Sequence, residues 1–315
     1  MATTVTAQDL IRPATVAEAA LRRPSRSLWS DAWRQFRRHR LAMFGVFTFT
    51  LLLLATLLGP FVYRTPGDAI DYSKGLLGPS LAHPFGTDDL GRDLFARALH
   101  GGRVSMAVGV VAVLIAITLG TLIGAVAGFF GGRIDNALMR LTDLFLALPV
   151  LPFLLMVTYL FRDSIKRVFG PEVGIFLLIV GVIGALNWMP LARLVRAGFL
   201  SIKQKEFVEA ARCIGAPNFR IMMAHILPNT LSAVIVAATV GVGQAIITES
   251  ALSFLGLGFP PDMPTWGRLL YDAQNFLDLA PHWAIFPGLL IFLTVLSINY
   301  IGDGLRDALD PRKTQ

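Results

Sequence analysis

The chain holds one cysteine, Cys213, in 315 residues, which rules out an internal disulfide and any cysteine-built metal cage. Charge is scarce as well. Only 16% of residues are Asp, Glu, Lys or Arg, against about a quarter in soluble domains. No G-x-x-x-x-G-K-[ST] spacing occurs, so ATP hydrolysis through a phosphate loop is excluded. No H-E-x-x-H pair and no Cys/His metal spacing occurs either. The histidines (His39, His83, His100, His225 and His282) are scattered through flanking segments and loops. Asp303 between Gly302 and Gly304 faintly resembles an intramembrane aspartyl protease motif. It closes an apolar run, however, and Asp143 has no matching context, so that reading is set aside. The expectation is a protein without catalysis, metal or bound cofactor of its own.

What the chain has is hydrocarbon: 54% of its residues are hydrophobic and the mean hydropathy is +0.62. Five uncharged runs, 41–63, 104–132, 173–192, 226–248 and 283–302, are each long enough to cross about 30 Å of hydrocarbon. A sixth, 144–161, contains Pro149 and Pro152; its helix is expected to begin near Ile134. An all-α polytopic membrane protein with six transmembrane helices follows. The run at 41–63 lies behind a forty-residue tail and is too long for a signal peptide, so it reads as a retained first span.

The net charge of +7 raises nucleic acid as a partner. The basic residues instead cluster beside apolar runs, as topology and anionic headgroups require. Membrane lipid is therefore the expected partner, and nucleic acid is not. With the N-terminus in the cytosol, inner segments hold 19 Lys and Arg against 9 outside, so both termini are placed inside. Segments 1–40 and 306–315 become cytoplasmic tails, and 64–103 is extracytoplasmic. Within 28–40 apolar residues recur at Leu28, Trp29, Ala32, Trp33 and Phe36, which suits an interfacial helix or a plain positive-inside anchor. Residues 1–27 read as disordered.

Small residues recur every fourth position at Ala112, Ala116, Gly120, Gly124 and Gly128, one face along which another helix can approach closely. Asn187, Gln244, Thr294, Ser297 and Asn299 are polar positions inside spans. Each needs a partner in a lipid-excluded interior, through either helix–helix hydrogen bonds or a hydrated translocation pathway.

The most informative segment is 207–228, FVEAARCIGAPNFRIMMAHILP, a polar interruption between two apolar runs. A helix is expected over 203–214, a break at Gly215-Ala216-Pro217, Asn218 as cap of a second turn, and a restart at Pro228. Such a loop needs something on the water side to hold it, and another protein is the natural candidate.

Glu209-Ala210-Ala211, then Gly215, then Leu227-Pro228 resembles the EAA motif of ABC-importer permeases. His225 stands where the general pattern has an apolar residue, a form similar to the peptide-transporting branch. The blocks HPFGTDDLGRD at 83–93 and LSFLGLGFPPDMPTWG at 252–267 resemble signatures of the dipeptide/oligopeptide/nickel permease family. The resemblance runs from about Trp29 to Asp310.

It implies a type I ABC-importer permease in the bacterial inner membrane, its core over 101–305 and its coupling loop over 193–225. Implied partners are a second homologous permease in a heterodimer, two cytosolic ABC ATPase subunits that hold ATP and Mg2+, and an extracytoplasmic solute-binding protein. By the same resemblance Glu209, Ala210, Ala211, Arg212, Gly215, Leu227 and Pro228 couple to the ATPases. Of these, Glu209, Ala211, Arg212 and Gly215 would make the grip. Asp88, Arg92, Asp93, Phe254 and Trp266 are expected at an outer gate or binding-protein dock, with loop rigidity as the competing reading. A multi-span scaffold that recruits cytosolic partners remains the alternative.

Overall fold

The computed structural model describes residues 28–309; the expectations for 1–27 and for the end of the C-terminal tail lie outside the described residues. Among the described residues eleven helices carry the fold: α1 (Leu28–Arg38), α2 (Arg40–Val62), α3 (Leu94–Phe130), α4 (Gly132–Leu146), α5 (Val150–Phe169), α6 (Pro171–Leu186), α7 (Trp188–Ile202), α8 (Glu206–Cys213), α9 (Asn218–Phe254), α10 (Trp266–Ala273) and α11 (His282–Leu309). Four of them, α2, α3, α9 and α11, are long and apolar enough to span a membrane alone. Counted as one span each, the two bent pairs, α4 with α5 at 85° and α6 with α7 at 41°, make up to six spans by length and composition.

The two bends correct the sequence reading. A single helix from Ile134 through 161 was expected, but the chain breaks at Ala147–Pro149. Pro149 disfavours helical backbone at Leu148 and starts α5 afresh from an extended conformation, φ −68° and ψ 106°. The expected span 173–192 breaks at Asn187 (φ −109°, ψ 3°). Pro190 lacks an N–H and its ring would strike the carbonyl of Leu186, so it is tolerated only in the first turn of a new helix. That helix, α7, then runs on to Ile202.

The turn at 83–93 leads straight into α3: Asp93 caps this 37-residue helix, its Oδ1 accepting the Ala96 N–H at 2.7 Å.

The small-residue ridge of α3 is buried along α7. A Cβ at Gly124 would lie 2.4 Å from the Ala192 carbonyl oxygen, and one at Gly128 would lie 2.6 Å from Phe199 Cβ. The backbones approach so closely that nothing larger than hydrogen fits, and packing within the subunit accounts for the ridge. The main apolar core joins α3, α5, α6 and α9 through Val108, Leu154, Ile179, Ile183 and Ala245. Leu51, Leu54, Leu58 and Phe61 of α2 stay exposed, an apolar stripe of the kind a bilayer can cover.

Helix α1 divides its apolar face. Phe36 packs on Ala42 and Ala308, and Gln35 Nε2 donates to the Asp307 carbonyl at 2.7 Å. Trp33, 59% exposed, remains outside. Because α11 runs antiparallel to α9, Leu309 comes beside Ser232 and Ala233. The described termini and residues 203–226 thus share one face, the loop face. Residues 64–93 and 255–281 form the opposite, hairpin face.

Candidate functional site

On the loop face, α7 ends where the Lys203 ammonium donates to the Phe129 carbonyl and lies over the Phe129 ring. A turn over 203–205 follows, so α8 starts at Glu206 and not at 203. Val208 and Ala211 turn inward and are buried with Phe199, Ile221, Met222 and Ile226. Glu209, Ala210, Arg212 and Cys213 are exposed.

Gly215 takes φ +80°, a left-handed conformation open to glycine. Its N–H bonds the Arg212 carbonyl at 2.9 Å and the Ala216 N–H bonds the Ala211 carbonyl at 3.0 Å. This pair of bonds is a Schellman stop. Pro217, in extended conformation, precedes the next helix, and Asn218 makes no side-chain cap; the expected cap is corrected.

The chain does not restart at Pro228. It passes through a π-helical turn, Ile221–Ile226, in which the Leu227 N–H reaches the Met222 carbonyl, and α9 continues unbroken. Proline removes one i→i−4 bond, and a π-turn is the local register that absorbs it.

This arrangement sorts the seven loop residues. Glu209, Ala210, Arg212, Gly215 and Pro228 point outward and Leu227 is half-buried. Ala211 faces its own subunit and offers no surface for a grip, which corrects its expected role. The sequence reading missed the apolar residues beside them: Phe207, Ile214 and Phe219 are exposed, Ile214 by 85%. The signal was present, because so short a segment carries more apolar residues than one inward face can bury, which leaves the others without an internal partner.

Between the bent α6/α7 and α9 lies a cleft of about 790 Å³. Asn187 and Gln244 line it together with Pro190, Leu191, Val236 and Arg306. The Asn187 side chain donates to the Ile183 carbonyl at 2.7 Å, closing off the helix end at the bend. Thr294 and Ser297 are buried elsewhere in α11, where the Ser297 hydroxyl donates to the Leu293 carbonyl at 2.6 Å. Asn299 is exposed outside the cleft lining. Two of the five expected pathway residues therefore converge. Arg306, the cation at the cleft, was not anticipated.

On the hairpin face, Asp88 is fully buried. Its Oδ1 accepts the N–H groups of Leu90 and Arg92 at 3.0 and 2.8 Å, and its Oδ2 accepts Arg92 Nε at 2.7 Å. Asp93 Oδ2 accepts the Tyr63 hydroxyl at 2.8 Å and lies 2.7 Å from His83 Nδ1. Trp266 is fully buried, its indole N–H donating to the Ala98 carbonyl at 3.0 Å. These groups hold the fold, and Phe254 is the exposed member of the expected set.

A second charged cluster lies beside them. Asp272 Oδ1 is 2.7 Å from Arg268 Nη2 and its Oδ2 is 3.5 Å from Arg97 Nη2. Burial pushes the Asp272 carboxyl above its ordinary value against the pull of Arg268. Glu249, also fully buried, was missed because it stands just past the hydropathy run.

The chain matches two described families. "Binding-protein-dependent transport system inner membrane component" covers residues 120–315, and "N-terminal TM domain of oligopeptide transport permease C" covers residues 27–84. It is 40% identical to the dipeptide transport system permease protein DppC of Alkalihalophilus pseudofirmus, over 91% of this chain and 90% of that one. It is likewise 40% identical to the glutathione transport system permease protein GsiD of Pectobacterium atrosepticum, over 91% and 92%. Bacillus subtilis DppC is 40% identical over 93% of this chain and 88% of its own length.

Among solved structures, an inward-facing MetNI methionine ABC transporter chain aligns at TM-score 0.52 and 19% identity, covering 67% of this chain and 94% of that one. At that identity the likeness is one of fold. Four to six membrane spans, the type I importer permease fold and the two family matches agree, and the chain belongs to the binding-protein-dependent transport system inner membrane components, as a permease subunit of an ABC importer.

Proposed function

We propose that this permease subunit forms half of a pathway that carries di- or oligopeptides, or a related small solute such as glutathione, into the cytosol of a bacterial cell. A second homologous permease completes the pathway across the exposed face of α9. Two cytosolic ATPases, holding ATP and Mg2+, drive it, and an extracytoplasmic binding protein delivers the solute. In this reading the loop face is cytosolic, in keeping with the excess of Lys and Arg there, and Phe254 belongs to the outer surface that the binding protein meets.

One observation carries the reading: α8 and the glycine stop after it face two ways. Val208 and Ala211 are locked into the bundle, while Glu209, Arg212, Ile214 and, at the start of α9, Phe219 are presented outward. A short helix built this way moves with α7 and α9 yet keeps a mixed apolar and charged surface for a partner. Apolar Phe207, Ile214 and Phe219 supply contact area, and Glu209 and Arg212 set register. Only contacts that differ between nucleotide states can transmit work, so the partner must hold this surface through its cycle. The cleft of about 790 Å³ falls in the range that accommodates small solutes, and Asn187, Gln244 and Arg306 are its polar groups.

The test is reconstitution of the complete complex in vesicles. ATP-dependent uptake that requires the binding protein and is strongest for a short peptide or glutathione supports the reading. Uptake that needs neither ATP nor a partner would overturn it.

A further inference from the structure

Glu249 lies one turn from the end of α9 with its side chain wholly inside the protein, and among the described residues no basic side chain pairs with it. A carboxyl in such a place needs hydrogen-bond donors, and it marks a functional position more often than a filler. Its two oxygens go to different elements. Oε1 accepts the Ser253 hydroxyl at 2.7 Å, one turn further along α9. Oε2 accepts the Ser105 hydroxyl of α3 at 3.2 Å. The Ser105 oxygen in turn accepts the backbone N–H of Trp266 at 3.2 Å, at the start of α10. One side chain therefore ties α9, α3 and the outer hairpin, residues 255–273, into a single hydrogen-bonded unit.

The hairpin has no slack against α9. A Cβ at Gly258 would lie 2.0 Å from Ser253 Oγ, and one at Gly267 would lie 2.5 Å from Ser250 Cα. At its other end α9 clasps α8 through Ile221, Met222 and Ile226. Between the two ends it runs 37 residues without a break, roughly 55 Å at the usual helical rise.

We propose that Glu249 is a positioning residue: it locks the hairpin onto α9, so that a displacement begun at α8 reaches the opposite face as movement of the hairpin with the helix. This rests on the coupling role proposed for α8 and adds the element that receives the motion. Without the carboxyl, the Ser105 and Ser253 hydroxyls lose their common acceptor, the relay through Ser105 to the Trp266 N–H loses its anchor on α9, and α9 would move past a hairpin no longer bound to it.

The test uses the complete complex in vesicles, in a Cys213→Ser background. Spin labels are placed at Asp262→Cys in the hairpin and Ile247→Cys on the exposed side of α9. With Glu249 present, the 262–247 distance is expected to be single and the same without nucleotide and with a non-hydrolysable ATP analogue. Glu249→Ala is expected to broaden that distance and to lower binding-protein-stimulated ATP hydrolysis by about tenfold, with the basal rate unchanged. Glu249→Gln, which keeps the shape and an acceptor oxygen, is expected to restore both; a merely structural role would not separate stimulated from basal hydrolysis.

A 262–247 distance that changes with nucleotide in the unmodified site overturns the proposal, as does an E249A complex stimulated as well as wild type. Should E249A fail to assemble, the wild-type distances decide alone. A wild-type complex with no binding-protein-dependent hydrolysis would instead remove the transport reading, and that is measured first on the same preparation.

Discussion

Arg196 of α7 meets Asp135 of α4 at two points, Nε to Oδ1 at 2.5 Å and Nη2 to Oδ2 at 2.6 Å. The fork fits a carboxylate as a lysine cannot, and it holds the bent α4 on the helix that leads into α8. Arg196 is 33% exposed and Asp135 11%, so the pair falls between a surface bridge and a buried one. A double-mutant cycle with Arg196→Lys and Asp135→Asn, read as thermal unfolding of the detergent-solubilised complex, is expected to give a coupling of about 1 kcal/mol. A coupling indistinguishable from zero would mean that the pair is incidental.

The approach of α3 to α7 gives a sharper steric expectation. Gly124→Ala drives a methyl group to 2.4 Å from the Ala192 carbonyl and is expected to cost about 2 kcal/mol. Gly181 has nothing within 4 Å of an added Cβ, so Gly181→Ala should be neutral or slightly stabilising. Equal melting temperatures for the two variants would contradict the packing described.

On the loop, Ile214→Asp and Phe219→Asp remove exposed apolar surface and should leave insertion unchanged. Each is expected to weaken capture of the ATPase subunits by about 2 kcal/mol, roughly thirtyfold in affinity. Gly215→Val forces a β-branched residue to φ +80°, and Glu209→Lys inverts an exposed charge on α8; both should abolish uptake with the protein still in the membrane. Uptake at the wild-type level by either would count against coupling through this loop.

In the cleft, Gln244→Trp fills space on the exposed side of α9. Uptake should fall well below wild type while basal ATP hydrolysis persists. Parallel loss of both would instead point to a folding defect.

The spans were legible because a soluble fold rarely keeps an uncharged run long enough to cross a bilayer. The ridge at Gly120, Gly124 and Gly128 was legible because spacing alone puts those positions on one face. Both bends were harder to place, since Pro149 and Pro190 act through the residues before them and hydropathy does not register backbone direction. Ala211 was misassigned because a short motif does not say which side faces the bundle; that depends on Ile221 and Ile226 across the glycine stop. Asp88, Asp93 and Trp266 looked like surface signatures because their sequence blocks read as turns between spans. Their burial depends on Arg92, Tyr63 and Ala98, partners that sequence order does not bring together. Glu249 stayed hidden for a related reason: its donors lie on α3 and on its own next turn.

Cys213 offers the most direct measurement, being the chain's one cysteine and exposed on α8. In the intact complex a short thiol-to-amine crosslinker attached at Cys213 is expected to join this chain to an ATPase subunit, with a yield that changes between nucleotide-free and ATP-bound states. A membrane-impermeant thiol reagent added outside intact cells should leave it unmodified. Labelling of Cys213 from outside, or crosslinks that never include an ATPase, would contradict the assignment of this loop as the site where the motor takes hold.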